Sequence, residues 1–306
     1  MAETTTTVKG KTYFSIDLAD GIPWLSQRKN QLPTRWSKID PNGTYGYVKT
    51  YQIGKYTKEQ AIYYKINSGW FMYPSGVCCM TSTCMAGAIA GWYNKAKTGI
   101  DFSNTVVENA LEFILKGTIK GNENNELLQK IYGVTNNNWS KVGCDLHMFM
   151  DKCAKVISYQ WGHNGKDLIT TKNITPGSAI QGGSDDKAKT GLAKAAWEQI
   201  NINRAPITCS VKYGNGGHIV CIMGASWLES DYTNAVKNKT IPEPAYIILY
   251  DPYGCRCNAN QSYPSKHKDD CSVMHELGNG ERVYVKFSYM ASILKNWQWY
   301  WWIRNK

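Results

Sequence analysis

Four residue types in this chain occur where they could form a catalytic group, beginning with a cysteine. "PSGVCCMTSTCMAG" places Cys78 and Cys79 at the start of an apolar run that predicts a helix from about Cys78 to Lys95. The unpaired N–H groups and dipole of a helix N-terminus lower a thiol pKa, and the thiolate is the nucleophilic form. Either Cys78 or Cys79 meets this condition, whereas Cys84 lies more than a turn inside. The alternative is two small residues that pack a helix start.

A histidine, an acid and a glutamine occupy places that would complete such a site. His218 follows "YGNGG" and opens the apolar strand "HIVCIMGAS", so its imidazole could take a thiol proton and return it to a leaving group. Asp251 ends the next apolar run, "AYIILYDPYG", where its carboxylate could orient that imidazole. Gln27, in "GIPWLSQRKNQ", could donate its amide to an oxyanion. Taken singly, His218 could be a turn histidine with no catalytic role, and Asp251 could belong to an ordinary Asp-Pro turn.

The elements that must position these residues divide into a helical part and a strand part. "DFSNTVVENALEFILKG" predicts a helix capped at Ser103 or Asn104 and ended by Gly117. Helical patterns recur in "ENNELLQKIYG", "WSKVGCDLHMFMDKCAKVIS" and "AKTGLAKAAWEQIN". Short runs at "APITCSVKY", "HIVCIMGASW", "AYIILYD" and "RVYVKFSYM" predict an antiparallel sheet. Helices followed by strands favour an α+β class, with residues 1–75 as loops and short strands.

Composition narrows the class of protein. The 306 residues are 42% hydrophobic, which is typical of a folded globular chain. No linker, repeat or charge block is visible, so we expect a single domain over residues 1–306 with insertions at about 28–77 and 100–200. Lys and Arg exceed Asp and Glu by 35 to 24, and the net charge of +11 suits anionic partners such as cell-wall polymers, acidic lipid surfaces or nucleic acid. An ordinary solvated basic surface is the favoured interpretation of this charge. The charges are scattered, and no nucleic-acid motif is present.

The ends of the sequence bear on location. "MAETTTTVKGKTYF" lacks the basic and apolar regions of a secretory signal, and no apolar run is long enough to span a membrane. We therefore expect synthesis in the cytoplasm, with release by lysis or incorporation into a virion as open routes to an outside target.

A second cysteine-rich region offers a metal site. Of ten cysteines, Cys255, Cys257 and Cys271 share a short loop with His267 and His275. Three thiolates and one imidazole could bind a structural Zn²⁺ tetrahedrally. The Cys-x-Cys spacing matches no standard zinc finger, so free thiols or a local disulfide are favoured and no cofactor is expected.

Four segments together resemble the papain-like cysteine peptidases, in the branch similar to the peptidase domains that trim bacteriocin leaders. That branch carries "(V/I)PY-x-x-Q", a helix opening "CGPTSLAM", then "GH" with an apolar strand, and then "DP". This chain has "IPWLSQ", "CCMTSTCM", "GGHIVCIMG" and "YIILYDPYG". The terminal "YMASILKNW" is similar to the helix that closes such domains. The resemblance implies a papain-like fold, with a helical half followed by an antiparallel sheet.

The resemblance also selects between the two adjacent cysteines. Aligning the family's cysteine with Cys78 places Thr81 and Ser82 on its Thr-Ser and Met85 on its Met, whereas alignment on Cys79 loses all three matches. By this matching Cys78 resembles the nucleophile.

The same matching assigns the other three roles. His218 resembles the general base, Asp251 its orienting acid and Gln27 the oxyanion donor. Two features depart from the family: Cys79-Met80 replaces its Gly-Pro, and about 50 residues separate Gln27 from Cys78.

The function that follows is a thiol hydrolase that cleaves an amide bond in a protein or in a peptidoglycan peptide. Two alternatives stay open. A transglutaminase-like acyl transferase or an amidase would use the same residues with another acceptor. A non-catalytic binding module with a zinc-stiffened loop would use none of them for chemistry.

Overall fold

The computed structural model describes residues 1–26, 46–53, 57–66, 69–73, 77–117, 124–133, 150–163, 185–213, 216–252 and 282–302. The strands in these ranges are β1 (Ala2–Val8), β2 (Lys11–Asp17), β3 (Gly46–Ile53), β4 (Thr57–Ile66), β5 (Gly69–Tyr73), β6 (Ile207–Tyr213), β7 (Gly216–Leu228), β8 (Tyr246–Tyr250), β9 (Val283–Lys286) and β10 (Leu294–Trp301). The helices are α1 (Cys78–Ile89), α2 (Lys95–Thr98), α3 (Asn104–Gly117), α4 (Asn125–Tyr132), α5 (Met150–Gln160), α6 (Asp185–Ala195), a π-helix (Ala196–Ile202), α7 (Glu229–Asn238) and α8 (Phe287–Ile293). The predicted α+β class is confirmed.

The chain forms two compact units that alternate along the sequence. The first contains residues 1–24, 85–92 and 169–306, and the second contains residues 25–84 and 93–168. The second unit therefore includes most of the two predicted insertions, 28–77 and 100–200. The expectation of a single domain stays a prediction.

The first unit is built on an antiparallel sheet with seven strands among the described residues. Their order is β1-β2-β7-β6-β10, and β8 pairs with both β7 and β9. The sequence pattern predicts a sheet made only of strands that follow the helices. The structure differs, because the N-terminal hairpin β1–β2 also belongs to this sheet. In the second unit, β3, β4 and β5 form a separate antiparallel sheet.

Strand β7 is the centre of the larger sheet because it has partners along its whole length. β8 pairs with Cys221–Ser226. β6 pairs with the first part of β7, up to Ile222, and β2 pairs with the last part, from Gly224. Both of these pairings overlap with that of β8, and a strand has only two edges, so β2 and β6 share one edge of β7 in succession and β8 occupies the other.

A bulge in β7 lies where these partners change. The pairing with β8 shifts register between Ile222 and Gly224. A Cβ on Gly224 would lie 2.3 Å from the backbone oxygen of Ile16 and 3.0 Å from Ile248. Only glycine lets β2 approach this closely, which explains the glycine inside an otherwise apolar strand.

Helix α1, which carries the paired cysteines, is buried on every side. Each residue from Val77 to Ala90 is buried. The sequence of α1 has no charged residue to mark a solvent face, and its hydroxyl-bearing residues Thr81, Ser82 and Thr83 are buried as well. Along the chain, α1 begins in the second unit and ends in the first.

Most predicted helices are found, with corrections at their ends. Helix α3 begins at Asn104 and ends at Gly117, as the capping pattern predicts. Helix α1 ends at Ile89 rather than Lys95, because a turn follows in which Gly91 has a φ of 82°.

Two C-terminal segments also differ from the prediction. "RVYVKFSYM" is a strand only to Lys286, and helix α8 then begins at Phe287. The segment "YMASILKNW", expected to be helical, leaves the helix after Ile293 and enters strand β10, which pairs with β6. Among the described residues, no helix combines the length and apolar character needed to cross a membrane.

Candidate active site

His218 and Asp251, two of the four predicted site residues, are in direct contact. The imidazole Nε2 of His218 lies 2.7 Å from Oδ1 of Asp251. Each residue is only 5% exposed, so the pair is shielded from water. An ionised carboxylate offers only acceptors, and the Nε2–H of His218 is therefore the donor in this bond. In a neutral imidazole this leaves the lone pair on Nδ1.

The strand register explains why these two side chains meet. In the β7–β8 pair, Cys221 lies opposite Tyr250. Continuing that register by one residue sets Asp251 opposite Val220. Residues two apart on a strand point to the same face, so His218 and Asp251 are diagonal neighbours on one face of the sheet.

The backbone around Asp251 is fixed by two aromatic residues that the sequence analysis did not single out. The indole Nε1–H of Trp24 donates to the backbone oxygen of Asp251 at 3.0 Å. The hydroxyl of Tyr250, whose side chain is fully buried, donates to the backbone oxygen of Ile22 at 2.6 Å. Residues 22–24 are therefore attached to the strand end that carries the acid. Trp and Tyr inside a fold usually find a polar partner, but both of these bonds join distant segments and no local sequence signal identifies them.

Cys78 is the first residue of α1, as predicted. The first hydrogen bond of the helix runs from the N–H of Thr81 to the oxygen of Val77, at 3.0 Å. The N–H groups of Cys78, Cys79 and Met80 therefore precede the helical ladder and can act on a charge at the helix start. Cys78 is a free cysteine with 6% of its surface exposed.

The neighbouring cysteines have environments that oppose thiolate formation. Cys79 is completely buried. Burial raises the pKa of its thiol well above the ordinary value, and a hydrogen bond with the Cys153 thiol raises it further. Burial likewise raises the pKa of Cys84, with the nearby Cys79 as a smaller cause. Neither thiol is suited to act as a nucleophile at neutral pH.

Two predicted features lie outside the described residues. Gln27 follows the described segment that ends at residue 26, and the cysteine-rich loop with Cys255, Cys257 and Cys271 also falls outside. Among the residues that are described, no group of three or more His, Cys, Asp or Glu side chains has the arrangement of a metal site. The oxyanion and zinc hypotheses stay predictions.

Comparison with known proteins adds no relative to this picture. No family model, curated protein or solved structure matched the chain. The site is therefore interpreted from its own chemistry.

Proposed function

We propose that this chain is a papain-like cysteine hydrolase that cleaves an amide bond in a protein or in a peptidoglycan peptide. The observation that carries the proposal is the buried 2.7 Å contact between His218 and Asp251. A buried histidine whose Nε2–H is held by a carboxylate has a fixed ring orientation and tautomer, which a general base requires. The excess of positive charge, +11, suits an anionic target such as a cell wall.

The proposed reaction proceeds in two steps. The Cys78 thiol gives its proton to Nδ1 of His218, and the thiolate attacks the substrate carbonyl. The N–H of Cys78 and the amide of Gln27 stabilise the oxyanion, and the imidazolium protonates the departing amine. A thioester on Cys78 remains. Water, deprotonated by His218, then attacks this thioester, releases the carboxylic acid and restores the thiol.

The environments of the three cysteines in α1 support the choice of Cys78. Burial raises the pKa of both Cys79 and Cys84, so their thiols stay protonated in neutral solution. Cys78 is at the first position of α1 and precedes the hydrogen-bonded ladder. The resemblance to the family motif selects the same residue.

Alkylation by iodoacetamide at pH 6, followed by peptide mapping, tests this proposal. An ordinary thiol with a pKa of about 8.5 to 9.0 is less than about 1% thiolate at this pH, so rapid labelling requires a stabilised thiolate. We expect Cys78 to be the labelled residue, with labelling at least about tenfold slower in His218→Ala because the imidazole no longer accepts the proton. His163→Ala is the matched control and should label like the unmodified protein.

Two results would overturn the proposal. One is labelling of Cys79 or Cys84 while Cys78 stays unmodified. The other is a Cys78 rate equal to that of a free thiol and unaffected by His218→Ala, which is the behaviour of a non-catalytic binding module. If Cys78 is the labelled residue, turnover of an acyl probe by the unalkylated protein, with and without an added amine, separates a hydrolase from an acyl transferase, because only a transferase gives mainly the amide product.

A further inference from the structure

A cavity in the first unit lies at one end of the seven-stranded sheet. It has a volume of about 310 Å³ and is lined in part by Lys11, Tyr13, Tyr246, Lys286 and Phe287. This volume is within the range of small-molecule sites, roughly 300–1,000 Å³. An adjoining cavity of about 340 Å³ shares Lys11 with it. The sheet end therefore offers space for a ligand larger than a single ion.

The strand register places the polar groups of this cavity on one face of the sheet. Tyr246 lies opposite both Ser226 in β7 and Lys286 in β9. Tyr13 lies opposite Leu228, two residues after Ser226, so all of these side chains share a face. Lys11 precedes Tyr13 by two residues and points the same way. Four strands held in register thus fix the positions of the two lysines and the two tyrosines.

The opposite face of the same strands is occupied by an aromatic cluster. Phe14 and Trp227, the sequence neighbours of Tyr13 and Leu228, contact Tyr232 with ring centroids 4.2 and 5.7 Å away. Helix α7 supplies Tyr232 and so covers that face. The alternation along β2 and β7 therefore separates a packed apolar face from a face that carries lysines and phenols.

The chemistry of the cavity favours an anion attached to an apolar or ring-shaped body. Two ammonium groups supply positive charge. The rings of Tyr13 and Tyr246 meet edge to face with centroids 5.7 Å apart, and Phe287 adds a further apolar surface. Burial raises the pKa of Tyr246, and Tyr13 raises it further through its charge and a side-chain hydrogen bond. One O–H of the tyrosine pair is used in that bond, and the other can donate to an oxyanion. Among the described residues that line the two cavities, the one acid is Glu229, and it lies in the adjoining cavity.

This cavity is remote from the candidate active site. His218 is near the start of β7, whereas Leu228 ends it. Ten residues of strand separate them, which corresponds to roughly 33 Å. Asp251 likewise follows the end of β8, whereas Tyr246 begins it. The cavity and the His218–Asp251 pair are thus at opposite ends of the same two strands.

We propose that this cavity is a binding site for the carboxylate or phosphate of a small ligand, with the ligand's apolar or aromatic body against Tyr13, Tyr246 and Phe287. The Lys11 and Lys286 ammonium groups contact the oxyanion, and the tyrosine pair donates one hydrogen bond to it. The site is independent of the chemistry at Cys78.

An NMR titration with three probes of similar size tests this site. N-acetylphenylalanine carries a carboxylate, phenyl phosphate carries a phosphate, and N-acetylphenylalanine amide is neutral. We expect at least one anion to bind at least about tenfold more tightly than the amide, because charge-assisted hydrogen bonds are roughly twice as strong as neutral ones. The anion that binds identifies the ligand class. Failure of both anions to bind, or equal binding of the amide, overturns the proposal.

Matched variants locate the site. In Lys11→Met/Lys286→Met the affinity should fall at least about tenfold, since the chain length is kept and the charge removed. Lys130→Met/Lys237→Met makes the same change in net charge at exposed positions elsewhere and should bind normally. Lys11→Arg/Lys286→Arg should retain binding, which separates a lost charge from a lost fold. Unchanged affinity in Lys11→Met/Lys286→Met would contradict the proposal. Iodoacetamide should label Cys78 at the same rate in all three double variants.

Discussion

A hydrogen bond to Asp251 orients the imidazole of His218, and the register of two strands brings these two residues together. Asp251 is within reach because it follows the last residue of β8, opposite the beginning of β7. The sequence indicates both residues, since each adjoins an apolar strand. It cannot indicate the bonds from Trp24 and Tyr250, which join segments more than 220 residues apart.

The side chain at position 251 should act through the orientation of His218. In Asp251→Ala the Nε2–H loses its acceptor in a buried place, and we expect Cys78 labelling at pH 6 to slow about 10- to 100-fold. Asp251→Asn keeps an acceptor oxygen at the same position and should lose less than Asp251→Ala. The pH dependence of the alkylation rate provides the measurement. Equal rates in the two variants, or no loss in either, would show that Asp251 does not position His218.

At the scale of elements, the sequence predicts the regular patterns and misses those that depend on distant partners. The strands around His218 and Asp251 are evident from their β-branched runs and are confirmed. Helix α7 is missed because its sequence, "ESDYTNAVKN", contains few apolar residues and has no side-chain cap. Strand β10 is missed because "LKNWQWYW" has no strict alternation, and its conformation is set by pairing with β6.

The bulge in β7 predicts that adding a side chain at Gly224 destabilises the fold. A Cβ there would lie 2.3 Å from the backbone oxygen of Ile16, so the two strands must separate. We expect Gly224→Ala to lower the free energy of unfolding by at least about 3 kcal/mol, measured by urea denaturation.

An alanine substitution at Gly10 provides the control for that experiment. Gly10 has a φ of 75° with no atom within 4 Å of a built Cβ, so Gly10→Ala tests backbone strain without a clash. Its expected cost is about 1 kcal/mol. If Gly224→Ala cost no more than Gly10→Ala, the close approach of β2 to β7 would not be a requirement of the fold.

At the scale of the whole molecule, four buried thiols should make the fold sensitive to alkali. Burial is the main cause that raises the pKa of Cys79, Cys84, Cys209 and Cys221 above the ordinary value of 9.0. Above this pH the unfolded chain releases protons that the folded chain retains. The stabilisation that comes from these protonated thiols is therefore fully present below pH 9. The free energy of unfolding falls as the pH rises further, by up to about 1.4 kcal/mol per pH unit for each thiol.

Denaturation in urea with a reductant present, at several pH values from 7.5 to 10.5, measures this slope. Cys209→Ala removes one of the four thiols. The slope of the free energy of unfolding against pH should then correspond to about one proton fewer released on unfolding, whatever the effect of the substitution on stability at pH 7.5. Identical slopes for the two proteins would mean that Cys209 ionises as readily in the folded state as in the unfolded chain.

The pairing of β2 with β7 also has a consequence during protein synthesis. The hydrogen bond between Ser15 and Ser226 joins residues 211 positions apart. At 5–20 residues per second, the ribosome needs roughly 10 to 40 s to make that interval. For this time the N-terminal hairpin exists without the strand that completes its sheet, and the aromatic ring of Phe14 lacks the Tyr232 ring it later contacts. During this interval the edge of β2 lacks its native partner and is exposed to non-native strand pairing.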